Sequence, residues 1–541
     1  MPVALRFSLV ALLLVAAPLP AQNAVARAAE TITAADLFRD VSVLASDAFA
    51  GRATPSVGYD SAAAFVAKQL KALGIRPMGD NGSYFQHYPL VRNTLDTART
   101  MAMFGSSHWM WGSDFLVTSF VTVGSRTGGV AYVGHGIRSA KLGLDPYAGV
   151  DIKGKWVVAH GRMALPDGVT RAQLGTIGVD YTTVLEEARS RGALGIITVP
   201  TTASLNGWEV TRRRAPMGRD LRETVGRAYA PFPLPQLLAS RSMIVRLLSG
   251  STLTADAVLT ADSTRIFPKS LLLDPARPLQ LDLVAATADT VMPYNVVGFV
   301  EGSDPVLKNE WVIIGSHLDG SVGRGANPAG DSIFNAADDN ATGSAGNMAI
   351  ARALMAGPRP KRSVLMVWDS GEETGLWGSR FLAHGPLAKQ AVSYINVDMI
   401  GRTKAPGSDV QGEQELSAPG EVYVVGPGLM STVHEQILGQ VMRDYKYATI
   451  NRRYEDANHE FFYPRTDAAP YMENGIPAIQ FFTGLHGDYH RQTDEVIKLD
   501  PVKMENSARM AYVTLWMVAN SDARPRFDKP VPAKLWFVSP R

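Results

Sequence analysis

Trp311-Val-Ile-Ile-Gly-Ser-His317-Leu-Asp319-Gly320 opens the stretch whose reading decides the fold. Behind it come Asn335-Ala-Ala-Asp338-Asp339-Asn-Ala-Thr-Gly343, Gly371-Glu372-Glu373-Thr-Gly375 and Ile395-Asn-Val-Asp398-Met399. Each polar cluster either follows a short apolar run or opens a helix. Val312–Ser316, Val364–Asp369 and Tyr394–Val397 are β-branched or aromatic runs of strand length, bounded by turn residues. Ser344–Ala356, rich in Ala, Met and Leu, predicts a helix that Asn340 or Thr342 can cap. Hydrophobic strands alternating with a helix predict an α/β fold whose central sheet is mostly parallel and covered by helices on both faces. Ligands of such sheets bind beyond the carboxyl ends of the strands. His317, Glu372, Glu373 and Asp398 all fall at that end.

The 541 residues exceed what one core usually organises, so at least two domains are expected. A net charge of +2 gives no reason to expect nucleic acid or an anionic membrane as partner. Phe7–Pro18, after Arg6 and before Leu-Pro-Ala-Gln, has the pattern of a signal peptide over residues 1–22, with cleavage near Ala21 and export to the periplasm or medium. No later run is long and apolar enough to span a bilayer. The chain has no cysteine, which excludes disulfides, thiolate metal sites and a cysteine nucleophile. Any metal must be held by His, Asp and Glu.

Along the chain, Ala35–Ser46 and Asp60–Leu73 read as helices flanking a turn-rich loop, Gly51–Gly58, whose expected role is packing. Residues 115–265 change character. Short β-like runs are punctuated by glycine, and a helix at Thr183–Arg191 leads through Gly192 into a strand ending at Val199. His135 and His160 stand isolated there among apolar neighbours and read as structural. This is expected to be a non-catalytic insert, followed by a linker near Phe267–Pro278. Segments 31–114 and 266–525 then form the discontinuous catalytic part, closed by a helix over Pro501–Ala519, and 526–541 is a Pro-rich tail. Trp208 and Arg212–Arg214 fall in a long loop of the insert.

Without thiolates, zinc prefers imidazole and carboxylate ligands. Two ions at about 3.5–4 Å need a carboxylate between them to screen their repulsion. His317 and His490 supply one imidazole per ion, with His486 the main rival to His490 and His459, in a polar loop, a weaker one. Asp339 can bridge, Asp398 can complete the ion at His317, and Glu373 the ion at His490. Glu372, pointing away from its neighbour, is left free to act as general base on a water made acidic by the metal. Asp319 and Asp494 are candidates to orient the imidazoles by hydrogen bonds.

The motifs Gly-Ser-His317-Leu-Asp319, Asp338-Asp339-Asn-Ala-Thr-Gly343, Glu372-Glu373-Thr-Gly, Asn396-Val-Asp398-Met and Asp488-Tyr-His490-Arg-Gln-Thr-Asp494 together resemble the two-zinc aminopeptidase family that includes the glutamate carboxypeptidase and transferrin-receptor branches. The resemblance covers roughly 280–520 and draws in Gly51–Tyr84. It implies that Asp339 rather than Asp338 bridges, with a cis peptide at Asp338–Asp339, and that Glu372 is the base and Glu373 the ligand. The insert, with Tyr147–Val158 and Ala188–Val199, is similar to a protease-associated domain. The chain departs from the family at Thr466-Asp467-Ala468, where members often have Ser-Asp-His. The implied protein is an exported exopeptidase with two Zn2+ per chain and peptide substrates. An aminopeptidase is the first reading; a carboxypeptidase or dipeptidase of the same family, or a non-catalytic peptide-binding protein, is the alternative.

Overall fold

A computed structural model describes residues 19–119, 124–161, 164–175, 180–214, 219–223, 234–320, 325–408, 412–455 and 465–530. The apolar run of the expected signal peptide, 7–18, His459 and the end of the expected tail, 531–541, lie outside the described residues. The chain divides into two compact units. One contains Met1–His87, Tyr294–Asp456 and Phe462–Arg541; the other is Tyr88–Pro293 with Ala457–Phe461.

The first unit is built on a sheet whose middle strands are β1 (Tyr294–Val300), β2 (Trp311–His317), β3 (Ser363–Asp369), β4 (Ala391–Val397), β5 (Glu421–Val425) and β6 (Ala478–Phe482). They lie in the order β1-β3-β2-β4-β6-β5. The four inner strands β3, β2, β4 and β6 run parallel, while β1 is antiparallel to β3 and β5 to β6. Every residue of β3 and β4 is buried. Uninterrupted apolar runs make sense only when both faces of a sheet are covered. On one face lie α1 (Ala34–Leu44), α2 (Val57–Ala72), α3 (Gly343–Ala356) and α4 (Pro501–Asn520). Leu37, Val66, Met348, Met504 and Leu515 from these helices join Ile314, Met366 and Ile395 of the strands in one core. On the other face Tyr394 stacks on Tyr471, with ring centroids 3.9 Å apart. Of the two expected caps of α3, Asn340 meets the first amide of the helix and Thr342 does not. The Asn340 side-chain oxygen accepts from Gly343 N at 2.8 Å, while the Thr342 hydroxyl turns back to Asp338 O at 2.8 Å. No described helix is long and apolar enough to cross a membrane.

The second unit reaches further than the expected 115–265. Ser107–Met110, Met101–Phe104, Leu279–Leu283 and Gly124–Gly128 form one sheet in that order, so sequence from both sides of the expected insert closes it. The boundaries therefore fall at 88 and 293. The stretch expected to be a linker contributes a strand, Leu271–Leu272, paired with Ala131 and Tyr132. A second sheet joins Trp156–His160, Gly195–Val199 and Gln236–Ala239 in parallel, with a helix at Val184–Ser190 capped by Thr183, as the sequence suggests, and a third pairs Leu90–Leu95 with Arg219–Glu223 and Ala285–Val291. Trp208–Arg214 is helical rather than a loop.

Packing around β2 is tight. A Cβ added at Gly315 would come within 2.5 Å of the Tyr394 hydroxyl. Gly315→Ala should therefore destabilise the first unit by about 1–3 kcal/mol, as overfilled cores do. A denaturant midpoint equal to that of the parent chain would contradict this packing.

Candidate metal centre

The carboxyl ends of the parallel strands deliver the site. His317 is the last residue of β2, Glu372 and Glu373 lie in the turn after β3, and Asp398 directly follows β4. Asp339 sits in the buried turn that starts α3, and His490 is in the loop after β6. Two triplets result, His317–Asp339–Asp398 and Asp339–Glu373–His490, each with its ligand atoms within 4.8 Å of one another. Asp339 belongs to both. The His317 Nε2 lies 3.2 Å from Asp339 Oδ1 and 3.4 Å from Asp398 Oδ1. The His490 Nε2 lies 3.1 Å from Asp339 Oδ2 and 2.9 Å from Glu373 Oε2.

The hydrogen bonds around His317 decide what fits there. Its Nδ1 is 3.0 Å from the main-chain oxygen of Asp319, a pure acceptor, so Nδ1 carries the hydrogen. The Nε2 of the neutral ring is then a lone pair facing two carboxylate oxygens, an arrangement that only a cation or a second proton relieves. Buried Asp398 Oδ1 and Glu373 Oε1 accept no hydrogen bond. This donor set of imidazole nitrogens and carboxylate oxygens suits zinc and similar divalent ions.

The charges answer the same geometry. Burial alone would lower the pKa of His317, but Glu372, Asp339 and Asp398 outweigh it and hold it well above the usual imidazole range. Burial likewise opposes the charged ring of His490, while hydrogen bonds to Asp339 and Glu373 lift its pKa to about 9. Burial pushes Glu372 well above the ordinary carboxyl range; His317 opposes this, and Glu373, Asp467 and Asp398 add to it. Glu373 rises to about 7, first through burial and then through the charge of Asp339.

Neither Asp319 nor Asp494 orients an imidazole through its carboxylate, contrary to expectation. Asp319 Oδ1 is 3.9 Å from His317 Nδ1, and its two oxygens instead accept from Glu372 N at 3.2 Å and Glu373 N at 3.3 Å. Asp494 accepts from Asp338 N and Asp339 N, each at 3.1 Å. Both acids thus hold the main chain that carries the ligands. His486, the rival to His490, is turned to Asp338 at 3.2 Å, outside both triplets. Asp338 also accepts from Gly401 N at 2.8 Å, which ties it to structure and leaves Asp339 to the centre. The non-proline cis bond is Asp339–Asn340, one residue later than expected.

Two residues of the site were not singled out by their sequence. A cleft of about 30 Å³, room for a single water, is lined by His317, Asp339, Glu372, Asp398, Arg465 and Tyr489. The Tyr489 ring stacks on His490 at 3.7 Å, and Arg465 Nη2 donates to its hydroxyl at 3.1 Å. Adjacency to His490 is the only sequence signal for Tyr489; Arg465 had none. In the second unit His135 and His160 line a separate cavity of about 760 Å³. Burial lowers both pKa values to about 4, so both rings are neutral, and no further metal-ligating group of three occurs among the described residues.

Residues 295–515 match the model of Peptidase family M28. A leupeptin-inactivating enzyme 1 of Streptomyces exfoliatus is 28% identical over 217 residues, 39% of this chain and 40% of that protein. A probable leucine aminopeptidase of Arthroderma otae is 25% identical over 269 residues, 44% of this chain and 67% of its own. Carboxypeptidase Q of Xenopus laevis is 25% identical over 252 residues, 45% of each. The chain thus spans less than half of the first and third of these relatives. Among solved structures, an aminopeptidase from Aneurinibacillus sp. strain AM-1 shares the fold, with TM-score 0.50 and 16% identity over 94% of this chain and 99% of that one.

Two measurements test the centre. Asp339→Ala removes a ligand from both triplets, so metal analysis after dialysis should find both ions lost together; two retained ions would remove Asp339 as the shared ligand. A cation needs bare imidazole nitrogens, and the His490 ring keeps its proton up to about pH 9 in the metal-free chain. Zinc uptake at pH 7 should therefore release protons and tighten as pH rises toward 9. Calorimetry in buffers of different ionisation enthalpy that finds no proton release would contradict this.

Proposed function

From residues 295–515, which belong to Peptidase family M28, we propose a zinc-dependent exopeptidase, first an aminopeptidase removing N-terminal residues from peptides. The observation that carries the reading is the pair of His–carboxylate triplets meeting at Asp339, with Glu372 beside them in the cleft. One ion would be held by His317, Asp339 and Asp398 and the other by Asp339, Glu373 and His490. Zinc bound there supplies Lewis-acid polarisation of a carbonyl and an acidified water.

The side chains do the rest. The main-chain oxygen of Asp319 fixes the tautomer of His317 and keeps its Nε2 bare toward the centre. Asp319 accepts from the amides of residues 372 and 373, which fastens the turn that carries both glutamates. Glu372 lines the cleft without belonging to either triplet and has a pKa raised by burial. Such a carboxylate can take a proton from the attacking water and return it to the leaving amine. Tyr489 and Arg465 present a hydroxyl and a guanidinium to the same cleft, donors suited to a substrate carbonyl or carboxylate.

Arg465 also supports the second reading, a carboxypeptidase or dipeptidase, because a guanidinium pairs with a free carboxylate. Aminoacyl p-nitroanilides compared with N-blocked peptides bearing a free C-terminus separate the two. We further propose that the chain is exported, on the strength of the Phe7–Pro18 run, and that the second unit is a protease-associated domain. Glu372→Gln should keep its metal yet lose about 10²–10⁴-fold in kcat, the usual worth of a general base. Hydrolysis at the parent rate with metal in place would remove Glu372 from that role.

A further inference from the structure

Arg52 is fully buried, although the loop that carries it looks from its sequence like simple packing. Its guanidinium donates to main-chain oxygens from three separate segments. Nε reaches Leu318 O at 2.9 Å, Nη1 reaches Leu44 O at 2.6 Å and Asn335 O at 2.9 Å, and Nη2 reaches Ala336 O at 2.8 Å. Leu318 is the neighbour of His317, and Asn335 and Ala336 lead directly into Asp338 and Asp339. The backbone is bent to make this possible. Ala50, Gly51 and Arg52 all take left-handed φ values of 45°, 75° and 59°. Two of those residues are not glycine, and conformations of that kind persist where the surroundings over-determine them and function uses them. The loop is also wedged between the segments it joins. A Cβ at Gly51 would lie 2.5 Å from Phe334 O, and one at Gly320 would lie 2.5 Å from Gly51 O.

We infer that Arg52 is a positioning residue for the metal centre, fastening the segment that ends at His317 to the segment that opens at Asp338; this rests on the proposed metal-binding role of those residues. A planar fork of donors is what the task requires, since several carbonyls from different segments converge on one group. Lysine has the charge without the fork. Charge alone would act in the opposite sense, because a buried cation beside Asp319, Asp494, Asp339 and Glu373 repels a second cation. Fastening and charge therefore predict opposite changes in metal affinity when the side chain is removed.

Arg52→Gly is the sharper variant, because glycine accepts the left-handed backbone at this position without strain. Arg52→Lys keeps the charge. Metal-free preparations of the full chain and both variants are titrated with Co2+, read by visible absorbance, and with Zn2+ in competition with a chelator; a cooperative melt certifies folding. The expected result is binding of both ions weakened by about tenfold or more in each variant, the range for groups that hold ligands in place, with altered cobalt bands. Methylguanidinium, but not potassium at equal ionic strength, should restore Arg52→Gly. Unchanged or tighter binding in Arg52→Gly, parent-like binding in Arg52→Lys, or no restoration would each overturn the inference. Should the glycine variant not fold, the lysine variant decides by the same criterion. Metal binding by the parent chain without hydrolysis of any peptide would remove the exopeptidase reading and leave this one standing.

Discussion

The Nε2 atoms of His317 and His490 both point at Asp339, one at each of its carboxylate oxygens, with His317 and Asp339 buried and His490 partly open to solvent. Lone pairs opposed at about hydrogen-bond distance are tolerable only with positive charge between them, because burial removes the water that would otherwise solvate them. In the metal-free chain protons fill that place, which is why both imidazoles hold theirs so far up the pH scale. A divalent cation would take the same place, with Asp398 and Glu373 as further carboxylate donors. The rest of the first unit follows from keeping these groups together.

Keeping them together is done by main-chain bonds more than by contacts among the ligands. The four parallel strands bring His317, the 372–373 turn and Asp398 to one edge, and β6 leads into the loop of His490. Asp319 then takes the amides of the glutamate turn, Asp494 the amides of residues 338 and 339, and Asn340 the amides of Gly343 and Met399. Each of these acceptors spans between loops that are far apart in sequence. Short polar side chains tied to backbone leave little freedom for the residues they hold, which is how loops at a sheet edge can present ligands accurately.

Much of this was legible beforehand. Apolar runs of strand length announced β2, β3 and β4, and polar residues at or just after their ends announced the edge where the candidate site lies. His317, Asp339, Glu373, Asp398 and His490 could be grouped because residue type and strand-end position are both written in the sequence. What escaped was whatever depends on rotamers and on distant pairing. Nothing local distinguishes an Asp319 that bonds an imidazole from one that bonds two amides. Nothing in Gly51-Arg52 says that the side chain turns inward. The extent of the second unit escaped for the same reason, since Leu279–Leu283 finds its partners Met101–Phe104 only across the whole insert.

Diffraction from crystals of the zinc-loaded chain, collected on both sides of the zinc absorption edge, tests the central claim most directly. The account predicts two anomalous peaks about 3.5–4 Å apart, one beside His317 and Asp398, the other beside Glu373 and His490, with Asp339 bonded to both. A single peak, or two peaks that do not share Asp339, would contradict it.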